Sequence, residues 1–208
     1  MANGVLGAAM PGRTQGVLAD VWGRSVARDV VLVVGAATLV GAAAQVALPL
    51  PGSPVPVTGQ TFAVLVAGAA LGPVRGAAGM LLYVVAGSLG VPWFAGGTAG
   101  LGTATLGYSL GFVLAAALVG RLAAAGADRK PWRTLGLMAV GNALIYLVGV
   151  PWLAIVTGTD LPGALALGLV PFLIGDAAKA LLAAGLLPSA WRLMHRLTGQ
   201  SADDQRVR

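Results

Sequence analysis

Apolar residues form long runs that charged residues interrupt at only a few places. No charged residue stands between Asp29 and Arg75, between Arg75 and Arg121, or between Arg133 and Asp160. A helix crosses about 30 Å of hydrocarbon in about 20 residues, so each of the first two windows holds two crossings and a turn. The third window holds one crossing, and an apolar segment after it adds another. The pattern predicts an all-α integral membrane protein with six transmembrane helices.

The predicted spans cover residues 30–48, 61–72, 76–89, 103–120, 134–156 and 171–193. The second span is short for a crossing, and we expect it to lean on its neighbours. Arg75 marks the turn between the second and third spans. The loop at residues 90–102 is uncharged, glycine-dense and carries two aromatic residues. We expect a re-entrant or lid-like segment there, since irregular backbone near membrane depth is tolerated where protein buries it or where it lines a cavity.

Composition supports this class. The chain of 208 residues is 57% hydrophobic and 10% charged, as is typical of membrane proteins. It has no cysteine, hence no disulfide or thiolate chemistry, and its one histidine, His195, cannot form a metal site alone. We predict no metal and no other cofactor. The net charge of +6 is confined to loops and tails rather than to one face of a soluble domain, so nucleic acid is not a predicted partner.

The basic residues predict the orientation. All lysines and arginines except Lys179 precede the first span, lie at or beyond the end of the last, or lie in the connectors between spans two and three and between four and five. With six crossings they share one side of the membrane, which the positive-inside rule assigns to the cytoplasm. We therefore predict a multi-pass protein of the cytoplasmic membrane, in contact with lipid, with a cytoplasmic N-terminal tail (1–28), a six-helix substrate-binding domain (29–197) and a cytoplasmic C-terminal tail (198–208).

Asp176 and Lys179 lie inside the apolar sixth span. A charge at membrane depth costs at least about 2.5 kcal/mol, so such residues normally face a partner, a pore or a ligand. Three residues apart, the two share a helix face. Pro171 suits a helix start, which places the pair within a turn or two of a helix N-terminus near the outer face. A binding site is the favoured interpretation, and a purely structural ion pair is the alternative.

Enzymatic chemistry is not predicted. A phosphate-binding loop would place Ser or Thr after its lysine, but Lys130 precedes Pro131 and Lys179 precedes Ala180. The spans offer one carboxylate, where an aspartyl protease needs two, and the histidine lies in the tail. Any dependence on ATP must therefore come from partner subunits.

Four motifs in order resemble one known family. They are P-V-P-V-T-G-Q-T at 54–61, G-V-P-W-F-A-G-G-T-A-G at 90–100, L-G-Y-S-L-G-F at 106–112 and P-F-L-I-G-D-A-A-K at 171–179. The set resembles the BioY family, the biotin-binding S components of energy-coupling factor (ECF) transporters. The chain departs from the family pattern at residues 103–105, where T-A-T replaces G-P-T and a more regular helix is expected, and at Ile174, where the family tends to have proline.

The resemblance implies the ECF S-component fold of six transmembrane helices with a substrate cavity near the outer face. It also implies biotin as ligand, and a transmembrane coupling protein and two ATPase subunits as partners. Asp176 and Lys179 match the family's ligand-contacting acid and base. Further cavity candidates, chosen by their chemistry and their position in or near the motifs, are Gln60, Tyr83, Phe94, Tyr108 and Asn142. Gln60 could instead cap the second span, and the aromatic residues could be core packing.

The resemblance further implies docking to the coupling protein through small residues on the first helix. Ala37 with Gly41, and Ala43 with Ala47, have the small-xxx-small spacing that permits close helix approach. The same spacing recurs elsewhere, so it is not specific. Two other functions stay open: an S component for another small vitamin or heterocyclic acid, and a non-transporting membrane scaffold.

Overall fold

The computed structural model describes residues 16–22 and 25–197, and predictions for the remaining tail residues lie outside them. The α-helices are α1 (Val26–Gln45), α2 (Gln60–Leu71), α3 (Pro73–Ser88), α4 (Leu106–Ala124), α5 (Pro131–Thr157), α6 (Leu161–Gly168) and α7 (Leu173–Leu197). Short 3-10 helices occupy Leu18–Trp22, Ala95–Gly97 and Val170–Phe172. Two short strands, β1 (Ala47–Leu48) and β2 (Val57–Thr58), pair antiparallel in the connector between α1 and α2.

Six helices, α1 to α5 and α7, run between two ends of one bundle. The basic end carries the α2–α3 turn and the α4–α5 connector. The opposite end carries the strand pair, the α3–α4 loop and α6, and is called the chamber end after a small cavity between α2, α4, α5 and α7. Among the described residues, four helical stretches are long and apolar enough to cross a membrane: Val26–Gln45, Leu106–Ala124, Pro131–Thr157 and the nearly continuous Leu161–Leu197. With the shorter α2 and α3, they make up the six predicted spans, and that prediction is confirmed.

The α2–α3 hairpin is shorter than a full crossing. The 12 residues of α2 extend about 18 Å. Gly68 of α2 lies so close to α4 that a Cβ atom there would come within 2.9 Å of the Ala116 backbone. The turn is at Gly72, whose φ of 87° favours glycine, three residues before the predicted position at Arg75. The prediction that the second span is short and rests on its neighbours is confirmed.

The α3–α4 loop is folded into the protein rather than extended from it. Phe94 is buried, with its ring in the space that the missing side chain of Gly87 leaves on α3. The Trp93 indole Nε1 donates to the Tyr83 carbonyl at 3.0 Å. Irregular backbone continues through residues 103–105 to the start of α4 at Leu106, so the expected regular helix at 103–105 is wrong. The Thr103 carbonyl accepts a turn hydrogen bond from the Leu106 N–H at 3.1 Å and a second one from Trp152 Nε1 at 3.0 Å.

At the basic end, Arg75 joins the chain's first described segment to the bundle. Its guanidinium lies 2.9 Å from Asp20 Oδ1 and 2.7 Å from Asp29 Oδ1. Val17 is buried against Gly72 in the α2–α3 turn. Residues 16–22 are therefore held across the hairpin turn by one cation between two carboxylates.

The α4–α5 connector is tied to the end of α7. Asp128 is fully buried and accepts from the Trp191 indole Nε1 at 2.6 Å, and the Arg129 guanidinium stacks 4.4 Å from the Trp191 ring centre. Burial raises the pKa of Asp128, while the hydrogen bond from Trp191 acts in the opposite direction. This contact fixes the last helix against the basic end.

Candidate functional site

A small polar chamber lies at the chamber end, between α2, α4, α5 and α7. Its volume is about 40 Å³. Eight side chains with polar groups line it: Thr58, Gln60, Thr61, Thr105, Tyr108, Ser109, Tyr146 and Lys179. Apolar side chains from the α1–α2 connector, from the α3–α4 loop and from Phe172 complete the wall. Such a concentration of hydrogen-bonding groups inside an otherwise apolar bundle is typical of a ligand site.

Lys179 lines this chamber and contacts Asp176, which lies just behind it and borders the groove between α5, α6 and α7. Lys179 Nζ lies 3.4 Å from Asp176 Oδ1, and Asp176 is buried. Asp176 is in the first turn of α7, directly after the 3-10 helix that contains Pro171. The prediction that the pair lies within a turn or two of a helix N-terminus is confirmed. The partial positive charge at that terminus favours the carboxylate.

Thr61 and Tyr146 complete the polar network. Thr61 Oγ1 accepts from Lys179 Nζ at 2.8 Å and donates to Asp176 Oδ1 at 3.3 Å. The Tyr146 hydroxyl donates to Asp176 Oδ2. The carboxylate thus receives hydrogen bonds from three helices, α2, α5 and α7. Sequence reasoning missed both residues, although Thr61 directly follows Gln60 and closes the first family motif.

Gln60 lies in the chamber wall and is positioned from behind by Tyr83. Gln60 Nε2 donates to the Tyr83 hydroxyl at 2.8 Å, and Thr58 Oγ1 donates to Gln60 Oε1 at 3.1 Å. Gly59 is the N-cap of α2 and no side chain caps it, so Gln60 does not have the capping role considered as its alternative. Phe94 packs edge-on against Tyr83, with ring centres 5.3 Å apart. Tyr83 and Phe94 form the layer behind the chamber.

Tyr108 also lines the chamber, with its hydroxyl turned toward α6. The hydroxyl donates to the Gly168 carbonyl at 2.9 Å, and its ring meets Tyr146 edge-on at 6.3 Å between centres. Tyr108 thereby links α4 to the segment that leads into α7. Its ring contributes an apolar wall, while its polar atom is already engaged.

Asn142 lies on the far side of the network from the chamber. It borders an apolar groove of about 680 Å³ between α5, α6 and α7, together with Tyr146 and Asp176. It also borders a void of about 10 Å³ that Thr61 and Lys179 share. The structure therefore brings Asn142 to the Asp176–Lys179 pair, but not to the chamber wall.

The small residues predicted for partner docking on α1 have mixed exposure. Ala37 and Gly41 are buried, and Trp93 fills the space beside Gly41. Ala43 and Ala47 are half-buried, Ala43 beside Gly59. The prediction that Ala47 lies on the first helix is wrong, because α1 ends at Gln45 and Ala47 begins β1. The outward face of α1 instead presents Gly35, which has open space beside it, and exposed valines.

Comparison with known proteins gives consistent results. A sequence model of the BioY family matches residues 13–196. The chain is 35% identical over 154 residues to the probable biotin transporter BioY of Pyrococcus horikoshii, covering 74% of this chain and 90% of that protein. It is 35% identical over 138 residues to the biotin transporter BioY2 of Lactococcus lactis subsp. cremoris, covering 65% of this chain and 75% of that protein.

A solved structure shares the fold. The crystal structure of the S component for biotin from an ECF-type ABC transporter superposes with a TM-score of 0.72 at 20% sequence identity. The match covers 82% of this chain and 95% of that one. At that identity the likeness establishes the S-component fold. The family match over nearly the whole described chain, together with this fold, shows that the chain belongs to the BioY family.

Proposed function

We propose that this protein binds biotin and takes it up across the cytoplasmic membrane as the substrate-specific subunit of an ECF-type transporter. The single observation that carries the proposal is the Asp176–Lys179 pair at the edge of a polar chamber inside the bundle. The relatives named above are biotin transporters by name, which supports the choice of ligand.

The chemistry of the pair suits a bicyclic urea with an acid tail. A carboxylate accepts hydrogen bonds from ureido N–H groups, and an ammonium donates to the ureido carbonyl or pairs with the acid. Gln60 offers an amide in the same wall, and Tyr108 and Phe112 offer aromatic faces. We propose Asp176, Lys179, Gln60 and Tyr108 as ligand-contacting residues. Tyr83, Phe94 and Asn142 would support them from behind.

The chamber must widen to admit such a ligand. Its volume of about 40 Å³ is well below the roughly 300–1,000 Å³ of ordinary ligand pockets. Two of its walls lie outside the α-helices: Val55 and Pro56 in the α1–α2 connector, and Ala95 in the short 3-10 helix of the α3–α4 loop. Segments without α-helical hydrogen bonds move at lower cost than packed helices. We propose that these two walls move outward when biotin binds.

Partner subunits would supply the energy. The chain offers no phosphate-binding lysine motif, so we propose a transmembrane coupling protein and two ATPase subunits as partners. With both termini in the cytoplasm, as the basic residues favour, the chamber end faces outward. We propose that α1 meets the coupling protein, with Ala43 near its chamber end, Ala47 in the adjoining strand β1, and Gly35 on its outward face.

Titration calorimetry on the purified chain tests the binding proposal. We expect saturable, ATP-independent binding of biotin to the chain alone, and we expect Lys179→Ala to weaken it much more than Lys130→Ala. Lys130 is the matched control because it precedes α5 at the basic end. Folded protein that gives no heat with biotin would refute the proposal, and equal effects of the two variants would refute the site.

Two other functions give different results. An S component for another vitamin would bind a competitor from a panel of small heterocyclic acids more tightly than biotin. A membrane scaffold is favoured by one observation, the direct contact of Lys179 with Asp176, since a structural ion pair would show it too. A scaffold would bind none of the panel.

A further inference from the structure

Within the part of the chain that the structure describes, one N–H donor of Lys179 and the side-chain oxygen of Asn142 have no hydrogen-bond partner. The Lys179 ammonium has three N–H donors, and in residues 16–22 and 25–197 only Thr61 Oγ1 and Asp176 Oδ1 accept from it. In the same part of the chain, Asn142 Oδ1 is buried and accepts no hydrogen bond. One donor and one acceptor are thus left over in neighbouring side chains.

Both side chains border the same space. The void of about 10 Å³ between α2, α5 and α7 is lined by Asn142, Lys179, Thr61 and four apolar residues. Its volume is at the lower limit for holding one water molecule. Two hydrogen-bond donors line this void and can pair with Asn142 Oδ1: the Lys179 ammonium and the Thr61 hydroxyl. The Thr61 hydroxyl already donates to Asp176 Oδ1.

We infer that Asn142 is a positioning residue for Lys179, and this inference rests on the proposed function. Its amide oxygen accepts the third N–H of the ammonium, directly or through one water in the void. A substrate whose N–H groups donate to Asp176 and Thr61 competes with Lys179 for these two acceptors. Asn142 then keeps a hydrogen bond to the ammonium and so holds it in position behind the substrate. The residue therefore acts through Lys179, without forming part of the chamber wall.

A double-mutant cycle on the full chain, with biotin as the probe, tests the inference. Asn142→Leu removes the acceptor at similar volume and should weaken biotin binding about tenfold, whereas Asn142→Asp keeps an acceptor oxygen and should stay within about threefold. In a Lys179→Met background, Asn142→Leu should change the affinity less than about twofold, because the donor is gone. Val140→Ala, on an exposed position of the same helix, should leave the affinity unchanged.

The outcomes separate the inference from the function. If wild-type protein binds biotin and Asn142→Leu weakens it equally in both Lys179 backgrounds, the inference is overturned while the proposed function stands. If wild-type protein does not bind biotin, both are overturned. Melting temperatures identify a variant that fails to fold. Asn142→Ala, which also lacks the acceptor, then replaces Asn142→Leu in the same cycle.

Discussion

The chamber end and the basic end both pair charges that the fold at least partly covers, but the hydrogen bonding of those charges differs. At the basic end, the Arg75 guanidinium lies 2.9 and 2.7 Å from two carboxylates, those of Asp20 and Asp29. At the chamber end, Lys179 has one carboxylate at 3.4 Å and one hydroxyl at 2.8 Å. Arginine's fixed fork suits such a clamp, whereas a lysine ammonium can redirect its donors.

This difference indicates which charges are structural and which are available to a ligand. Asp20 and Asp29 neutralise Arg75 and use it to hold residues 16–22 over the hairpin turn. Lys179 and Asp176 sit beside a chamber with hydroxyls and an amide in its wall, and one Lys179 donor stays unmatched. Charge inside a membrane bundle is therefore most informative when its hydrogen bonds are incomplete.

The largest expected effect is on the carboxylate at the chamber end. Asp176→Asn keeps the shape of the side chain but removes its negative charge. Tyr146, Thr61 and Lys179 all donate hydrogen bonds to this carboxylate. We expect biotin affinity to fall by about 2–3 kcal/mol, roughly 30- to 150-fold, in calorimetric titration. Asp160→Asn is the matched control, because Asp160 caps α6 and asparagine caps a helix equally well. Equal losses in the two variants would contradict the assignment.

The next effect concerns the hydroxyl that bridges the pair. Thr61→Val keeps the side-chain shape and removes the oxygen that accepts from Lys179 and the proton donated to Asp176. We expect biotin to bind about tenfold more weakly, about 1.5 kcal/mol, the low end for hydrogen bonds to charged groups. Thr38→Val on α1 is the control, since the Thr38 hydroxyl bonds only within its own helix turn. An unchanged affinity for Thr61→Val would remove Thr61 from the site.

At the basic end, a change should affect stability and spare binding. Arg75→Met leaves Asp20 and Asp29 without their shared cation and should lower the free energy of unfolding by about 1–2 kcal/mol, between the values for exposed and buried ion pairs. A thermal melt should show a decrease of about 2–4 °C per kcal/mol. Biotin affinity, measured below the melting temperature, should stay within about twofold. If Arg75→Met lowered biotin affinity without lowering stability, the structural role assigned to the basic end would be contradicted.

The smallest effect is a pH dependence at Asp128. Burial raises the pKa of Asp128 above its ordinary value of 3.8, so between the unfolded and the folded pKa the folded protein binds more protons. Stability is then lost as the pH rises through that window. Asp128→Asn lacks this loss, so its melting temperature relative to wild type should rise between pH 4 and pH 7. A relative decrease would contradict the burial argument.

The helices and the charged pair could be predicted from the sequence because both depend on local spacing. Runs without charge fix the number of crossings, and an i,i+3 separation puts Asp176 and Lys179 on one face. Thr61 and Tyr146 could not be found that way, since they reach the pair from other helices. The inward fold of the loop at Phe94 depends on the space beside Gly87, which no periodicity reveals.

The central claim is that Asp176 and Lys179 bind substrate rather than only pair with each other. Exchanging them, Asp176→Lys with Lys179→Asp, keeps one charge of each sign but reverses their positions. We predict that the exchanged protein binds biotin at least about 100-fold more weakly than wild type in calorimetric titration. The reason is that the donors and acceptors of the ligand must match the carboxylate and the ammonium at their positions. Affinity within about threefold of wild type in the exchanged protein would contradict the account and favour a structural pair.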